Sequence, residues 1–350
     1  MIRMVQLGVE HMHAEAYRGT LGLMRDRIEV VGFLARPEDR RTSLPGFEGV
    51  SVFRSLDELL NGVQFDAAQV MLRNNEMGAT LEALAGAGIH LWIEKPTARR
   101  AADLRPVAKM VAEKGLIVTL GYQSRFYPTT AYARRLVQEG VLGPLTFAHM
   151  MTATTTIKWR KPDGPYGYLF DDAVSGGGIF HWLGCHMVDL LLHIVGQRPE
   201  TVTALTANTG EAAVNVEDVA AVGLRFPGGW LASLNYGYLL PTAEPSPFGD
   251  DAPEPAIYGQ SGWVRWNSAT DVARSYSTVP ARAKSPWEME RFATPSPGGY
   301  GHAALLAMGN FVDAIGGHDA PAYSIEQAIA VLEVIEAAYV SARTGAVVRL

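Results

Sequence analysis

The sequence lacks what a disulfide-stabilised, membrane-spanning or nucleic-acid-binding protein needs. Cys185 is the only cysteine among 350 residues, so no internal disulfide can form. No apolar run approaches the roughly 20 residues that cross a bilayer, and the amino terminus lacks the apolar core of a signal peptide. The net charge is -6 without a cluster of Lys and Arg, which argues against a nucleic-acid partner. We therefore expect a cytoplasmic protein that binds a small molecule and no membrane.

What is present is typical of a globular chain with two domains. The hydrophobic content of 48% supplies a well-packed interior, and 350 residues exceed one ordinary core. Up to Gln123, short β-branched runs alternate with segments of helical periodicity. This alternation predicts an α/β fold whose parallel sheet carries helices on both faces.

After Gln123 the pattern changes. Runs with strand character follow one another and are split by turn residues such as "PGG", which predicts hairpins and an antiparallel or mixed sheet. Residues 268–298 are rich in Pro, Ser and Ala and are predicted to form a surface loop. Two helices, near 301–316 and 325–343, are predicted to close the chain. We place the first domain at residues 1–123 and the second at residues 124–350.

Charged residues directly follow one apolar strand of the first domain. Leu91, Trp92 and Ile93 have the character of a buried strand, and Glu94 and Lys95 come immediately after them. Ligands of parallel sheets bind beyond the carboxyl ends of the strands. Lys95 is therefore expected to face a crevice and not a core.

The turn after the first predicted strand has one glycine, where a dinucleotide-binding turn has the pattern GxGxxG. Gly8 is in place, but Glu10 puts a carboxylate near the expected position of a pyrophosphate. Two interpretations remain open. Either the turn binds the phosphates, with His11 and His13 offsetting Glu10, or it only caps a helix whose amino terminus favours an acidic residue.

An arginine follows the second predicted strand, where an NAD site usually has Asp or Glu for the ribose hydroxyls. Arg36 occupies this region, with Arg40 and Arg41 close behind. An arginine here suits the additional phosphate of NADP, so the sequence favours NADP over NAD. The alternative is a solvated basic loop.

Several motifs in the right order resemble the Gfo/Idh/MocA family, the glucose-fructose oxidoreductase and inositol dehydrogenase group. They are "DAAQVMLRNNEMGATLEALAGAGIHLWIEKP" from Asp66, "GYQSRFYP" from Gly121, "SGGGIFHWLGCHMVD" from Ser175 and the end of the chain from Ser324. The resemblance implies a Rossmann domain followed by an α/β domain with a mixed, largely antiparallel open sheet. It also implies hydride transfer between NAD(P) and a hydroxyl-bearing carbon of a sugar, polyol or related compound.

The same resemblance assigns catalytic roles. Lys95 is the lysine of the family's Glu-Lys-Pro motif, and His186 takes the position of the histidine that exchanges a proton with the substrate. Trp182 departs from the family because it replaces an aspartate, and the adjacent His181 is a further catalytic candidate. Arg73 replaces a common proline. These departures indicate a divergent branch in which the substrate cannot be carried over.

The remaining site predictions follow from the resemblance and from side-chain chemistry. The predicted cofactor-binding residues are Gly8, Glu10, His11, Arg36, Arg73, Asn74, Glu94 and Lys95. Aromatic faces pack on sugar rings, and Lys or Arg donors meet their oxygens. The predicted substrate-binding residues are Tyr122, Arg125, Lys158, Trp159, Tyr166 and Trp182. The open sheet is expected to mediate a homodimer or homotetramer.

Three other functions stay open. His186, Asp189 and His193 share one face of a predicted helix, which would suit a metal ion. Our main prediction, however, is that the site holds no metal. A second alternative is a non-catalytic sensor of a nucleotide or sugar that keeps the family fold. A third is a hydrolase or lyase that works through transient oxidation by a bound cofactor.

Overall fold

The chain forms two compact units. The computed structural model describes residues 1–154, 163–210, 214–237, 254–268, 270–279 and 286–350. One unit consists of Met1–Gln123 with Pro295–Ile329, and the other of Ser124–Thr294 with Ala330–Leu350. The predicted second domain differs from this division, because its residues 295–329 belong to the first unit.

The first unit contains a six-stranded parallel sheet in the order β3-β2-β1-β4-β5-β6. Its strands are β1 (Ile2–Leu7), β2 (Ile28–Leu34), β3 (Val52–Phe53), β4 (Ala67–Val70), β5 (His90–Ile93) and β6 (Val118–Leu120). The helices between them are α1 (Ala14–Leu23), α2 (Leu56–Gly62), α3 (Asn74–Gly86) and α4 (Ala101–Lys114). This strand order is that of the Rossmann fold, so the prediction for the first domain is confirmed.

Local sequence signals explain where these elements begin. Every residue of β4 is buried, as expected for a central parallel strand covered on both faces. At α2, the amide of Glu58 donates to the hydroxyl of Ser55, and serine is a favoured residue at this capping position. The C-cap of α4 is Gly115, whose φ of 62° lies in the left-handed region that ends helices.

The second unit contains a nine-stranded sheet in the order β14-β13-β12-β11-β7-β10-β9-β8-β15. Its strands are β7 (Leu145–Ala153), β8 (Thr201–Ala207), β9 (Val219–Arg225), β10 (Leu231–Gly237), β11 (Ala256–Gly259), β12 (Gly262–Asn267), β13 (Val272–Ser277), β14 (Trp287–Arg291) and β15 (Val348–Arg349). Only β7 and β10 pair in parallel among these described strands. The predicted mixed, largely antiparallel sheet is therefore confirmed.

The helices of the second unit bring the family motifs into place. They include α5 (Pro128–Gln138), α6 (Asp172–Ser175) and α7 (Cys185–Val195), and a π-helical turn over Phe180–Gly184 leads into α7. The expectation that no run is long enough to cross a bilayer is wrong by length and composition, because Asp172–Val195 is long and apolar enough. However, 72% of its apolar window is buried inside the protein. Its hydropathy is accordingly that of a core helix.

Residues 268–298 were predicted to form a loop, and this prediction is wrong. They contain β13 and β14, which pair with each other and extend the sheet. The composition misled because β14 is an edge strand with charged, exposed residues such as Glu288 and Glu290. Charged edge strands limit unwanted pairing with other chains, so polarity here does not signal a loop.

Aromatic contacts explain why residues 295–329 join the first unit. This segment contains α8 (His302–Ile315), and α9 (Ile325–Thr344) begins near its end. The ring centroids of Phe311 and Trp92 of β5 are 6.0 Å apart, and those of Tyr300 and Tyr17 of α1 are 4.7 Å apart. These contacts bury apolar surface that the first 123 residues would leave exposed.

Candidate functional site

Lys95 comes directly after β5, at the carboxyl edge of the parallel sheet. Its side chain is only 4% exposed, which is unusual for a lysine. The Lys95–Pro96 peptide bond is cis. Lys95 thus follows a buried strand, as the sequence predicts, and its side chain is largely buried and not open to solvent.

Glu94 is the buried anion next to this lysine. Its Oε1 accepts a hydrogen bond of 2.9 Å from Nδ1 of His13, and its Oε2 accepts one of 2.9 Å from the hydroxyl of Tyr17. Burial by itself would raise the pKa of Glu94, but the bond from His13 and the nearby charges of His13, Lys95 and His11 lower it to about 2. Glu94 is therefore ionised and charge-balanced throughout the neutral pH range.

Replacing Glu94 by glutamine is expected to lower stability in a pH-dependent way. The folded-state pKa of about 2 lies below the usual 4.5, so the ionised carboxylate stabilises the folded protein fully above about pH 4.5. That stabilisation is lost as the pH falls toward 2. We expect Glu94→Gln to reduce Tm at pH 7, with the difference from wild type shrinking below about pH 4.5, as measured by thermal scans.

The control is Glu82→Gln, because Glu82 is exposed on α3. This variant should have the same Tm as wild type at pH 7 and also below about pH 4.5. A Glu94→Gln protein with the same Tm as wild type at pH 7 would contradict a stabilising role for the ionised carboxylate.

The turn after β1 keeps one feature of a dinucleotide site. Gly8 has a φ of +83°, and a Cβ added there would lie 2.0 Å from the carbonyl oxygen of Met71. No other residue fits this close approach of two chain segments. His11 follows in the same turn, where its amide donates to the carbonyl of Gly8 over 2.9 Å.

Arg36 lies between two carboxylates, while its binding of the NADP phosphate stays a prediction. Its Nε is 3.1 Å from Oε1 of Glu10, and its Nη2 donates to both carboxylate oxygens of Glu76 at 2.8 and 2.9 Å. The guanidinium that was predicted to hold the extra phosphate of NADP is therefore already paired twice. The sequence did not identify Glu76 because it follows a different strand.

Glu10 retains one unsatisfied oxygen in this arrangement. Burial raises the pKa of Glu10, although its own backbone amide and Arg36 oppose the shift. Within the described part of the chain, Oε2 of Glu10 is buried and has no hydrogen-bond partner. A buried acceptor beside the glycine turn suits a ribose hydroxyl, so the turn fits a dinucleotide.

The other predicted cofactor residues lie at the start of α3. Arg73 is the residue before this helix, and Asn74 is its first residue and is buried. Because β4 and β5 are neighbours in the sheet, the start of α3 and Lys95 follow adjacent carboxyl ends. The structure thus brings Gly8, Asn74 and Lys95 to the same edge of one sheet.

The histidines of the second unit lie on the π-helical turn and on α7. His181 belongs to the turn, and its Nδ1 is 2.7 Å from the carbonyl oxygen of Ser175. A carbonyl only accepts, so Nδ1 carries the proton and Nε2 bears the lone pair in the neutral ring. Trp182 is buried beside it, and His186 is half-buried one turn further, on α7.

Arg125 was predicted to bind substrate, but the structure gives it a different contact. Its Nε donates to Oδ2 of Asp189 over 2.9 Å, and its Nη2 donates to the other carboxylate oxygen. Both side chains are buried, at 4% and 1% exposure. Because a buried carboxylate occupies both sides of this guanidinium's fork, we infer a structural role for Arg125, and substrate binding by Arg125 stays a prediction.

The same contacts weigh against the metal alternative. Asp189 is paired with Arg125, and His193 has its Nε2 3.3 Å from Nη1 of Arg134. Burial and the charges of these two arginines lower the pKa of His193 to about 3. In the described residues no group of three His, Cys, Asp or Glu side chains is arranged to hold a metal ion. Two guanidinium groups stand where the proposed ion would need negative charge.

Two of the remaining predicted substrate residues, Tyr122 and Tyr166, belong to the described part of the chain. Tyr122 is fully buried in the first unit, where its carbonyl accepts from the hydroxyl of Tyr323 over 2.9 Å. Tyr166 is half-buried just before a short helical turn over Gly167–Phe170. Lys158 and Trp159 lie outside the described residues.

Sequence reasoning missed the residues that hold Glu94. His13, in the turn before α1, and Tyr17, on α1, both contact Glu94. The side-chain amide of Gln123 donates to the hydroxyl of Tyr17 over 2.6 Å. A spacing of four residues puts His13 and Tyr17 on one side of a helix, which was the available signal. Their partner is about 80 residues away in the chain, so nothing local pointed to it.

Family comparisons match both units. A model described as "Oxidoreductase family, NAD-binding Rossmann fold" matches residues 2–122, and one described as "GFO/IDH/MocA C-terminal domain" matches residues 130–265. The chain belongs to the Gfo/Idh/MocA family. The resemblance seen in the sequence motifs is thereby confirmed, and with it an oxidoreductase family whose Rossmann domain binds NAD.

Individual relatives are more distant. The chain is 30% identical to 2,7-anhydro-N-acetylneuraminate hydratase of Escherichia coli, over 52% of this chain and about half, 48%, of that protein. It is 23% identical to D-xylose 1-dehydrogenase (NADP(+)) 2 of Haloferax volcanii, over 92% of each chain. A levoglucosan dehydrogenase solved with NADH and L-sorbose matches with a TM-score of 0.84 at 17% identity, covering 100% of this chain and 98% of that one. The last likeness concerns the fold alone.

Proposed function

We propose that this protein is an NAD(P)-dependent dehydrogenase acting on a hydroxyl-bearing carbon of a sugar, polyol or related compound. The observation that carries the proposal is Lys95, a buried cation at the carboxyl edge of a Rossmann sheet, next to an anion that stays ionised. Membership of an oxidoreductase family supports the same reaction class.

Lys95 is assigned to the substrate oxygen. In oxidation, the hydroxyl oxygen gains negative charge as the hydride leaves its carbon, and a desolvated ammonium group stabilises that charge. The bound nicotinamide supplies the hydride acceptor. Glu94 keeps Lys95 charge-balanced without contacting substrate, because both of its oxygens are held by His13 and Tyr17.

His186 is assigned to the proton. An imidazole titrates near neutral pH and so exchanges a proton with a hydroxyl efficiently. It takes the proton in oxidation and returns it in reduction. His181 is the second catalytic candidate, since its fixed Nδ1 proton leaves Nε2 as an acceptor. Trp182 and Tyr166 remain the aromatic candidates for contact with a sugar face.

The direct test is an activity screen. Purified protein is mixed with NAD⁺ or NADP⁺ and a panel of aldoses, polyols, anhydrosugars and sugar acids, and formation of the reduced nucleotide is followed by absorbance. Turnover with at least one compound is expected. Saturable nucleotide binding without turnover on the whole panel would instead favour the sensor alternative.

The contacts of Arg36 lead us to propose NAD as the preferred cofactor, in place of the NADP that the sequence favoured. Glu10 and Glu76 carry two negative charges and Arg36 carries one positive charge, so the three side chains together have a net charge of about -1. A second phosphate on the ribose would meet this net negative charge, whereas a ribose hydroxyl can donate to Oε2 of Glu10. Glu10 in the glycine turn thus takes over the binding of the ribose hydroxyl, which an acidic residue after β2 usually provides.

Removing both carboxylates should shift the preference toward NADPH. In the double variant Glu10→Gln/Glu76→Gln, Arg36 loses both ionic partners and can pair with the additional phosphate. We expect the ratio of Kd for NADPH to Kd for NADH to fall about 10-fold or more, measured by quenching of tryptophan fluorescence at fixed salt.

The matched control is Glu82→Gln, an exposed carboxylate on the same helix as Glu76. Its Kd ratio should equal that of wild type. If wild type already binds NADPH more tightly than NADH, the proposed preference is wrong and Arg36 exchanges its carboxylates for the phosphate.

One comparison favours a second candidate function. The relative from Escherichia coli is named a hydratase, and its identity of 30% exceeds that of the named dehydrogenases quoted above. Transient oxidation by a retained cofactor can assist addition or loss of water with no net redox change. In that case the product forms without accumulation of NADH, so chromatography of the same reaction mixtures distinguishes this candidate from the dehydrogenase and from the sensor.

The proposed partner is a small molecule, and the proposed assembly is a homodimer or homotetramer in the cytoplasm. The sheet of the second unit has exposed apolar side chains such as Leu205 on β8 and Leu231 on β10, at 75% and 49% exposure. Such residues on one sheet suit contact with a second copy. Sedimentation analysis of the purified protein checks the assembly.

A further inference from the structure

The helix that carries His181 and His186 begins at an unusual cap. Helix amino termini leave backbone N–H groups without partners inside the helix, and nearby residues of the chain usually satisfy them. Here the four consecutive amides of residues 178–181 are satisfied by two distant residues, Glu217 and Tyr339. This is a cap supplied by tertiary structure.

Glu217 satisfies three of these amides. Its Oε2 accepts from the amide of Gly178 at 2.8 Å, and its Oε1 accepts from that of Phe180 at 2.9 Å. Its backbone carbonyl accepts from Ile179 at 3.2 Å. A carboxylate at the amino terminus of a helix also interacts favourably with the helix dipole.

Tyr339 satisfies the fourth amide and joins the two residues. Its hydroxyl accepts from the amide of His181 at 3.1 Å and donates to Oε1 of Glu217 at 2.8 Å. The hydroxyl therefore uses both its donor and its acceptor capacity. Removing it leaves the backbone of His181 without this bond and Glu217 with one donor fewer.

The glycines before the helix make room for this cap. A Cβ on Gly178 would lie 1.9 Å from the carbonyl oxygen of Glu217, and one on Gly177 would lie 2.2 Å from the hydroxyl of Tyr339. Side chains at these positions would therefore push the cap away from the backbone. The run of glycines in "SGGG" is explained by the approach of Glu217 and Tyr339.

The cap also sets the geometry that defines the His181 tautomer. Nδ1 of His181 reaches back to the carbonyl of Ser175, six residues earlier and on the other side of the capped turn. The hydroxyl of Ser175 lies 2.8 Å from the carbonyl oxygens of both Gly177 and Asp171 and can donate to either of them. The distance from Nδ1 to the carbonyl thus depends on how the backbone from Ser175 to His181 is folded, and Glu217 and Tyr339 hold that backbone.

We propose that Glu217 and Tyr339 are positioning residues for this site: they fix the backbone of residues 178–181 so that His181 keeps its proton on Nδ1 and offers Nε2 as an acceptor. The inference rests on the proposed function only for its consequence in catalysis. The tautomer itself is a property of the protein without substrate, so it can be tested separately.

The test combines two variants with NMR of the full-length protein labelled with ¹⁵N-histidine. Tyr339→Phe removes only the hydroxyl, and Glu217→Gln removes the charge and puts an amide donor or acceptor in its place. We expect His181, assigned through the signal lost in His181→Gln, to be protonated on Nδ1 in wild type. Both variants should show a mixture of tautomers, while the signals of His149 and His318 stay unchanged.

The kinetic measurement adds a second readout. If His181 and not His186 accepts the substrate proton, kcat should fall about 10-fold or more in Tyr339→Phe while the Kd for NADH stays the same, because a wrongly protonated imidazole cannot accept that proton. An unchanged kcat together with a mixture of tautomers assigns the proton to His186. Tyr258→Phe is the control, since the hydroxyl of Tyr258, on β11, accepts from Nη2 of Arg265 over 2.9 Å and contacts neither Glu217 nor Tyr339 in the described part of the chain. It should change neither readout.

The outcomes separate this inference from the proposed function. If His181 stays protonated on Nδ1 in both variants, the positioning role is wrong whatever the rates. If wild type is inactive on every substrate, the proposed function is contradicted, and the NMR measurement still tests whether Glu217 and Tyr339 hold the tautomer of His181. Should Glu217→Gln fail to fold, Tyr339→Phe decides, because it deletes one atom and leaves the carboxylate in place.

Discussion

Replacing Lys95 by methionine is expected to lower kcat about 1000-fold. Methionine keeps the length of the side chain and removes its charge, so the oxygen that gains negative charge in the reaction loses its cationic partner. Loss of a preorganised donor of this kind typically costs a factor of about 100 to 1000. The rate is measured with the best substrate of the activity screen, at saturating cofactor.

Cofactor binding distinguishes a catalytic effect from a structural one. Lys95→Met should bind NADH with nearly the wild-type Kd, since the proposed contacts of the ribose involve Glu10 and not Lys95. Lys109→Met is the control, because Lys109 is 76% exposed on α4. An unchanged kcat in Lys95→Met would remove Lys95 from the mechanism. Loss of NADH binding would mean that its main role is to hold the cofactor.

Replacing Asp189 by leucine is expected to destabilise the second unit by about 3–5 kcal/mol. The substitution leaves the guanidinium of Arg125 buried without a counter-charge, and Arg134 adds a like charge nearby. The protein should unfold at a lower urea concentration. Because a chain of two units need not unfold in one step, the midpoint is a safer measure than an extrapolated free energy.

A double variant tests whether the pair or the single charge matters. Arg125→Met/Asp189→Leu removes both charges and should recover most of the loss, because apolar residues of similar volume replace the ion pair. Arg135→Met is the control, since Arg135 forms an exposed pair with Glu139 on α5 worth less than about 1 kcal/mol. If the double variant is as unstable as Asp189→Leu, the cost comes from packing and not from an unpaired charge.

The effect on catalysis also tests the structural role inferred for Arg125. A structural Arg125 predicts that the double variant, once folded, keeps its KM for substrate, because no substrate contact is removed. A large rise in KM with a normal urea midpoint would restore the original interpretation of Arg125 as a substrate-binding residue.

Predictions that depended on local pattern held well. The alternation of strands and helices led to the parallel sheet, because side-chain periodicity determines which face of each element is buried. Local signals also explain the cap at Ser55 and its counterpart before α9, where the amide of Ser324 donates to the side chain of Gln327 at 3.1 Å. The polar edge strand β14 was the main error, since composition alone does not separate such a strand from a loop.

The fold class, the family and the place of Lys95 at the end of β5 could be predicted from the sequence, because they follow from periodicity and from contiguous motifs. The partners of the charged residues became known only from the folded structure: Glu76 for Arg36, Asp189 for Arg125, and Glu217 with Tyr339 for the start of the histidine helix. The reason is physical. A buried charge or amide is satisfied by whatever the fold brings within about 3 Å, and sequence separation carries no information about that distance.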